Sequence, residues 1–165
     1  MIVNRINKTA MKPTKLLMRW GAQLLIERPA RKLTFSELIA QLEQSGKKMA
    51  EHLAACPDTP PNRRQLCHVI GIERWGQRRL RVALGEPLLT EEYDHYRPSN
   101  ERPWDELNVE WDSTRQSTLA LANDLSQTSI PVELKIPHNQ YGPLSIKAWL
   151  RYLDVHASGE GKRIK

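Results

Sequence analysis

His156 and Glu160 stand four residues apart near the end of the 165-residue chain, a spacing that stacks two side chains one turn apart on a single helical face. The stripe they belong to otherwise reads Ile146, Trp149, Leu153 and, beyond them, Ile164. A seam that ought to be apolar thus turns ionisable for two consecutive positions. An imidazole and a carboxylate buried without partners cost several kcal/mol, so a core seam keeps them only if something compensates. A divalent cation is one such partner. It accepts neutral imidazole and carboxylate together, and a helical His-x-x-x-(His/Glu) pair supplies two ligands.

A third ligand should come from another helix. His68 is the first candidate, because Ile72, Trp75 and Val82 follow it at i+4, i+7 and i+14 and turn that face partly inward. His138, in the loop before the last helix, is second choice, while His52 and His95 read as surface or loop residues. Asp154 and Glu73 are candidates to orient ligand imidazoles, with solvation as the plainer account of both. The plainer account of the main set is a surface pair His156–Glu160 near a fraying end weakened by Gly159 and Gly161, with His68 a hydrogen-bonded core histidine. No Ser-His-Asp set, phosphate-binding P-loop or glycine-rich dinucleotide loop supplies a rival mechanism.

Four helices must position these residues. The first opens at a capping box, Thr34-Phe35-Ser36-Glu37, with Leu33 and Leu38 at the staple positions. Phe35, Leu38, Leu42, Met49 and Leu53 recur at helical spacing until Pro57. The second opens at Thr59-Pro60-Pro61 and runs through Leu66, Val69, Ile72, Gly76, Leu80 and Ala83 to Gly85, which suits a left-handed cap. A long polar connection follows over residues 86–102. The third opens at Pro103, with Asp105 and Glu106 at the positive end of its dipole, and carries Trp104, Leu107, Trp111, Thr114, Thr118, Leu121 and Leu125 three or four residues apart. Residues 126–144 are irregular, with an alternating stretch over 132–136 that predicts a short strand or arm. The fourth helix starts at Ser145.

The net charge of +6 is local. Residues 1–32 hold eight Lys or Arg and one acid, a net +7, and the remaining 133 residues are close to neutral. The expected organisation is a basic N-terminal extension over 1–33 and a helical domain over 34–165. Such an arm could touch nucleic acid or an anionic surface, but no aromatic-interleaved basic groove accompanies it, and the plainer account is a solvated, partly helical extension that packs on its own or a neighbouring subunit. Arg74, Arg78, Arg79 and Arg81 lie at mixed angles on the second helix, as on a solvated face. Cys56 and Cys67 form no CxxC pair, so a disulfide is not expected. No run of about 18 apolar residues predicts a membrane span. Arg19 interrupts the apolar residues near the start and no small-x-small cleavage site follows, so the expected location is cytoplasmic.

Taken together, His68-Val69-Ile70-Gly71-Ile72-Glu73-Arg74-Trp75 and Trp149-Leu150-Arg151-Tyr152-Leu153-Asp154-Val155-His156 make the chain resemble the DinB-like (damage-inducible) superfamily over about residues 34–165. The resemblance implies an all-α, up-down-down-up four-helix bundle holding one divalent metal between a histidine early in the second helix and a His-x-x-x-His pair on the last. Carried over by position, His68 and His156 match two of the ligands, and Glu160 stands where the family has its third histidine. Two histidines and one carboxylate still suit zinc, nickel, manganese or iron(II). By resemblance the activity would be a transferase reaction dependent on a low-molecular-weight thiol, or a hydrolase reaction. Separately, Trp and Leu residues along one bundle face point to a homodimer. The alternatives are a non-catalytic stress-response bundle with a degenerate metal site and a nucleic-acid-associated protein acting through the basic arm.

Overall fold

The Thr34 hydroxyl accepts the Glu37 amide at 3.1 Å while the Glu37 carboxylate accepts the Thr34 amide at 2.7 Å, so the capping box closes in both directions. The structure, a computed structural model, describes residues 13–131 and 133–165. Helix α1 (Pro13–Ala22) passes through a π-helical turn, Gln23–Glu27, into the single turn α2 (Arg28–Arg31). The long helices are α3 (Phe35–Ala55), α4 (Pro60–Leu80), α5 (Trp104–Gln127) and α6 (Ile146–Gly161). Strands β1 (Lys135–His138) and β2 (Gly142–Ser145) form one antiparallel pair, with Ile136 opposite Leu144. The protein is mostly helical.

The predicted boundaries lie where local chemistry puts them. Thr59 and Ser145 cap α4 and α6 by accepting the Asn62 and Ala148 amides. Helix α4 tightens into a 3-10 turn over Arg81–Leu84 and ends on Gly85, whose φ of +94° needs a residue without a Cβ. Of the alternating stretch, Lys135 and Ile136 lie in β1. Residues 1–12 of the basic extension and Val132 lie outside the described residues.

Helix α3 packs on α5 and α6, and α4 packs on the same two. All seven stripe positions of α5 are buried. The buried apolar side chains form two clusters. One joins Leu38, Leu42, Ile72, Trp75, Leu121, Leu125 and Trp149. The other joins Met49, Leu53, Leu66, Val69, Leu107, Trp111, Ala157 and Ile164. Small or polar side chains gather near where the clusters meet: Gly46 on α3, Gly71 and Glu73 on α4, Thr114, Arg115 and Thr118 on α5, Asp154 on α6. A polar layer therefore crosses the core.

The described part of the N-terminal extension is helical and packs on the rest of the chain. Ala22, Ile26 and Ala30 belong to the first cluster, and the buried Glu27 carboxylate accepts the Ser145 amide at 3.1 Å. Its opposite face exposes Leu17, Trp20 and Leu25. Among the described residues no helix is long and apolar enough to cross a membrane. Cys56 and Cys67 are both free thiols.

Candidate metal centre

Helix α4 carries His68 two turns from its start, and α6 carries His156 and Glu160 in its last two turns. Where these helices meet, the His68 and His156 rings lie 5.2 Å apart between centroids, tilted by 57°. Both side chains are half-buried. A string of rings continues on either side: Tyr93 meets His68 edge-on at 5.4 Å, and Tyr152 lies 5.6 Å from His156.

Burial is the main reason that both imidazoles lose basicity. His156 is pushed down to about 4, with His68 and Arg163 adding to burial and Glu160 opposing it. His68 is lowered by burial and then by Arg97, again against Glu160. Neutral imidazole with a free lone pair is the form that a cation coordinates.

Two neighbours hold the would-be ligands in other hydrogen bonds. The Arg97 guanidinium donates from Nη2 to His68 Nδ1 at 2.9 Å. An arginine has no acceptor to offer, so His68 Nδ1 carries the lone pair and its proton sits on Nε2. The Glu160 carboxylate accepts at Oε2 from Gln65 Nε2 and Arg163 Nη1, each at 2.8 Å. Accordingly, among the described residues no three His, Cys, Asp or Glu side chains stand ready as a metal-holding group. The helices bring His68 and His156 together. Closing a ligand set around an ion requires Glu160 to turn from Gln65 and Arg163, and Arg97 to leave His68.

The other sequence candidates have different surroundings. His138 is buried at the end of β1, edge-on to Trp75 at 5.0 Å and to Tyr152 at 4.7 Å, and stacked on Tyr141 at 4.5 Å. Its Nδ1 accepts the Gln140 and Tyr141 amides, both at 3.2 Å, which puts the proton on a buried Nε2 among aromatic rings. His52 and His95 are exposed. Glu73 orients no imidazole: it lies in the core, paired with Arg115 at 2.8 Å and accepting from Thr118 at 2.8 Å. Asp154 is half-buried, with Oδ1 unpartnered.

The arginines of α4 are not one solvated face. Arg79 is buried, donates to the Glu91 carbonyl at 3.2 Å and Asn139 Oδ1 at 3.1 Å, and lies over Trp75. Arg74 pairs with Glu110 at 2.7 Å and Arg78 with Glu86 at 3.2 Å.

Sequence reasoning missed Arg97, Arg115 and the ring cage of His138. Arg115 had a signal, because it falls four residues after Trp111 and its partner Glu73 falls four after Val69, opposite charges on two facing stripes. Arg97 had none, since it lies in an aperiodic connection just after a 3-10 turn, Tyr93–Tyr96.

The chain matches no protein-family model, no curated protein and no solved structure.

Proposed function

We propose that the chain is a divalent-metal-dependent enzyme of the DinB-like type, in which α3 to α6 form an up-down-down-up bundle and His68, His156 and Glu160 hold one ion. The observation that carries the reading is the meeting of two half-buried, neutral imidazoles from separate helices, 5.2 Å apart between ring centroids, with Glu160 one turn further along α6. Zinc, nickel, manganese or iron(II) suits that donor set, and such an ion would lower the pKa of a bound water or thiol towards neutrality. The chain's own contribution is to keep both imidazoles unprotonated by burial and to flank them with the Tyr93 and Tyr152 rings. Thiol-dependent transfer and hydrolysis are the reaction classes of the proposal, in a cytoplasmic protein that pairs with a second copy.

The test is elemental analysis of protein purified without a metal-binding tag. Stoichiometric metal in the native chain, lost in His68→Ala and in His156→Ala, is the expected result. Metal content unchanged in both variants overturns the assignment.

A second reading is a non-catalytic bundle with a degenerate site. It is favoured by the hydrogen bonds that occupy Glu160 and His68. It predicts no native metal and a melting temperature indifferent to a chelator, whereas a chelator-induced fall supports the enzyme.

A further inference from the structure

Of the ten large apolar side chains exposed among the described residues, five fall in one short stretch: Leu17, Met18, Trp20, Leu24 and Leu25. Helix α1 and the π-helical turn present them away from Ala22, Ile26 and Ala30, which hold the segment on the first cluster. Leu17 is 75% exposed, Trp20 65% and Leu25 71%, so folding leaves most of their surface in water. A concentration of this kind marks a surface that meets something else.

The charge around the patch is largely of one sign. Arg19, Arg28, Arg31 and Lys32 are exposed along the same segment. Glu27, the acid among them, is sealed in the protein, its carboxylate taken by the Ser145 amide and Arg31. Helix α6 sets two more cations alongside: Arg151 donates to the Leu25 carbonyl at 3.4 Å and Lys147 to the Leu33 carbonyl at 2.7 Å. The exposed Glu133 shares a cleft with Arg31, but Lys135 and Lys147 line the same cleft.

Leucine and tryptophan interleaved with bases on the outward side of a helical segment match an anionic lipid surface. The apolar side chains enter the boundary between headgroups and acyl chains, while arginine and lysine stay with the phosphates. A second copy of the chain fits less well, because a symmetric contact sets the patch against itself and brings the bases of both copies together. A nucleic acid would answer the bases and leave the leucines in water.

We propose that residues 17–32 form a seat for an anionic phospholipid surface, on which the protein lies without crossing it. The inference is independent of the metal-site reading.

The experiment is co-sedimentation of the full chain with vesicles of phosphatidylcholine, alone or with about one part in three phosphatidylglycerol. Wild type is compared with the double variant Leu17→Ser with Trp20→Ser, the double variant Arg28→Gln with Lys32→Gln, and the control Val109→Ser, which alters an exposed apolar residue of α5. All these side chains are exposed, so melting temperatures matched to wild type are expected. Wild type and Val109→Ser should favour the anionic vesicles over the neutral ones about tenfold, and each double variant should lose about tenfold in partition onto the anionic ones. Partition that is absent in wild type, or equal in wild type and the Leu17→Ser, Trp20→Ser variant, overturns the proposal. Light scattering tests the rival occupant: a wild-type dimer that ignores vesicles and becomes monomeric on Leu17→Ser with Trp20→Ser overturns the lipid seat in favour of a second copy.

Discussion

Glu73 on α4 and Arg115 on α5 face each other at 2.8 Å, each side chain almost wholly sealed from solvent, in the layer that separates the two apolar clusters. The pair is not isolated. Arg115 also donates to the Leu42 carbonyl at 3.3 Å, and Gly46 leaves room on α3 for its methylenes. Burial works against the Glu73 carboxylate, raising its pKa, and Arg115 works in the other direction.

Removing one member strands the other in the core. Glu73→Leu alone or Arg115→Met alone should each destabilise the fold by about 3–5 kcal/mol in urea denaturation. The double substitution should recover most of that loss, because an apolar pair fills the space without an unpaired charge. Losses that simply add in the double variant would show that the two side chains act independently.

His138 supplies a pH dependence. Burial, reinforced by Arg79 on α4 and His156 on α6, holds its folded-state pKa at about 3, against an ordinary 6.5. Between those values the unfolded chain binds a proton at this position and the folded chain does not, so stability falls as pH drops through the window. At pH 5 the loss from this residue should be roughly 2 kcal/mol relative to pH 7. Comparing His138→Gln with wild type at both pH values checks it: the variant should show a shallower decline, and an unchanged decline would refute the assignment.

Ile26 tests where the domain begins. It is buried in the first cluster although it falls within the stretch expected to be an extension. Ile26→Ala should cost about 2–3 kcal/mol. Leu17→Ser, on the exposed side of α1, should stay within about 0.5 kcal/mol of wild type. Thermal denaturation of both variants decides the matter, and a neutral Ile26→Ala would return these residues to the status of a loose arm.

What the sequence determined by itself is what depends on a few neighbouring residues. The capping box of Thr34 and Glu37, the cap at Ser145 and the stop at Gly85 are closed by atoms within a turn of each other, so spacing alone predicts them. The apolar stripe of α5 was legible for the same reason, since a period of about 3.6 decides which side chains share a face. That His156 and Glu160 lie on one face is likewise a property of any helix.

Only the tertiary structure decided the rest, because it depends on which helix faces which. His68 meets His156 through the packing of α4 on α6. Arg97 reaches His68 because the 86–102 connection folds back on Gly71. Arg79, which a helical projection leaves on a solvated face, is buried because the segments holding Glu91 and Asn139 close over it. Periodicity within one helix carries no information about these encounters; they are set by how the apolar stripes of several helices bury one another at once.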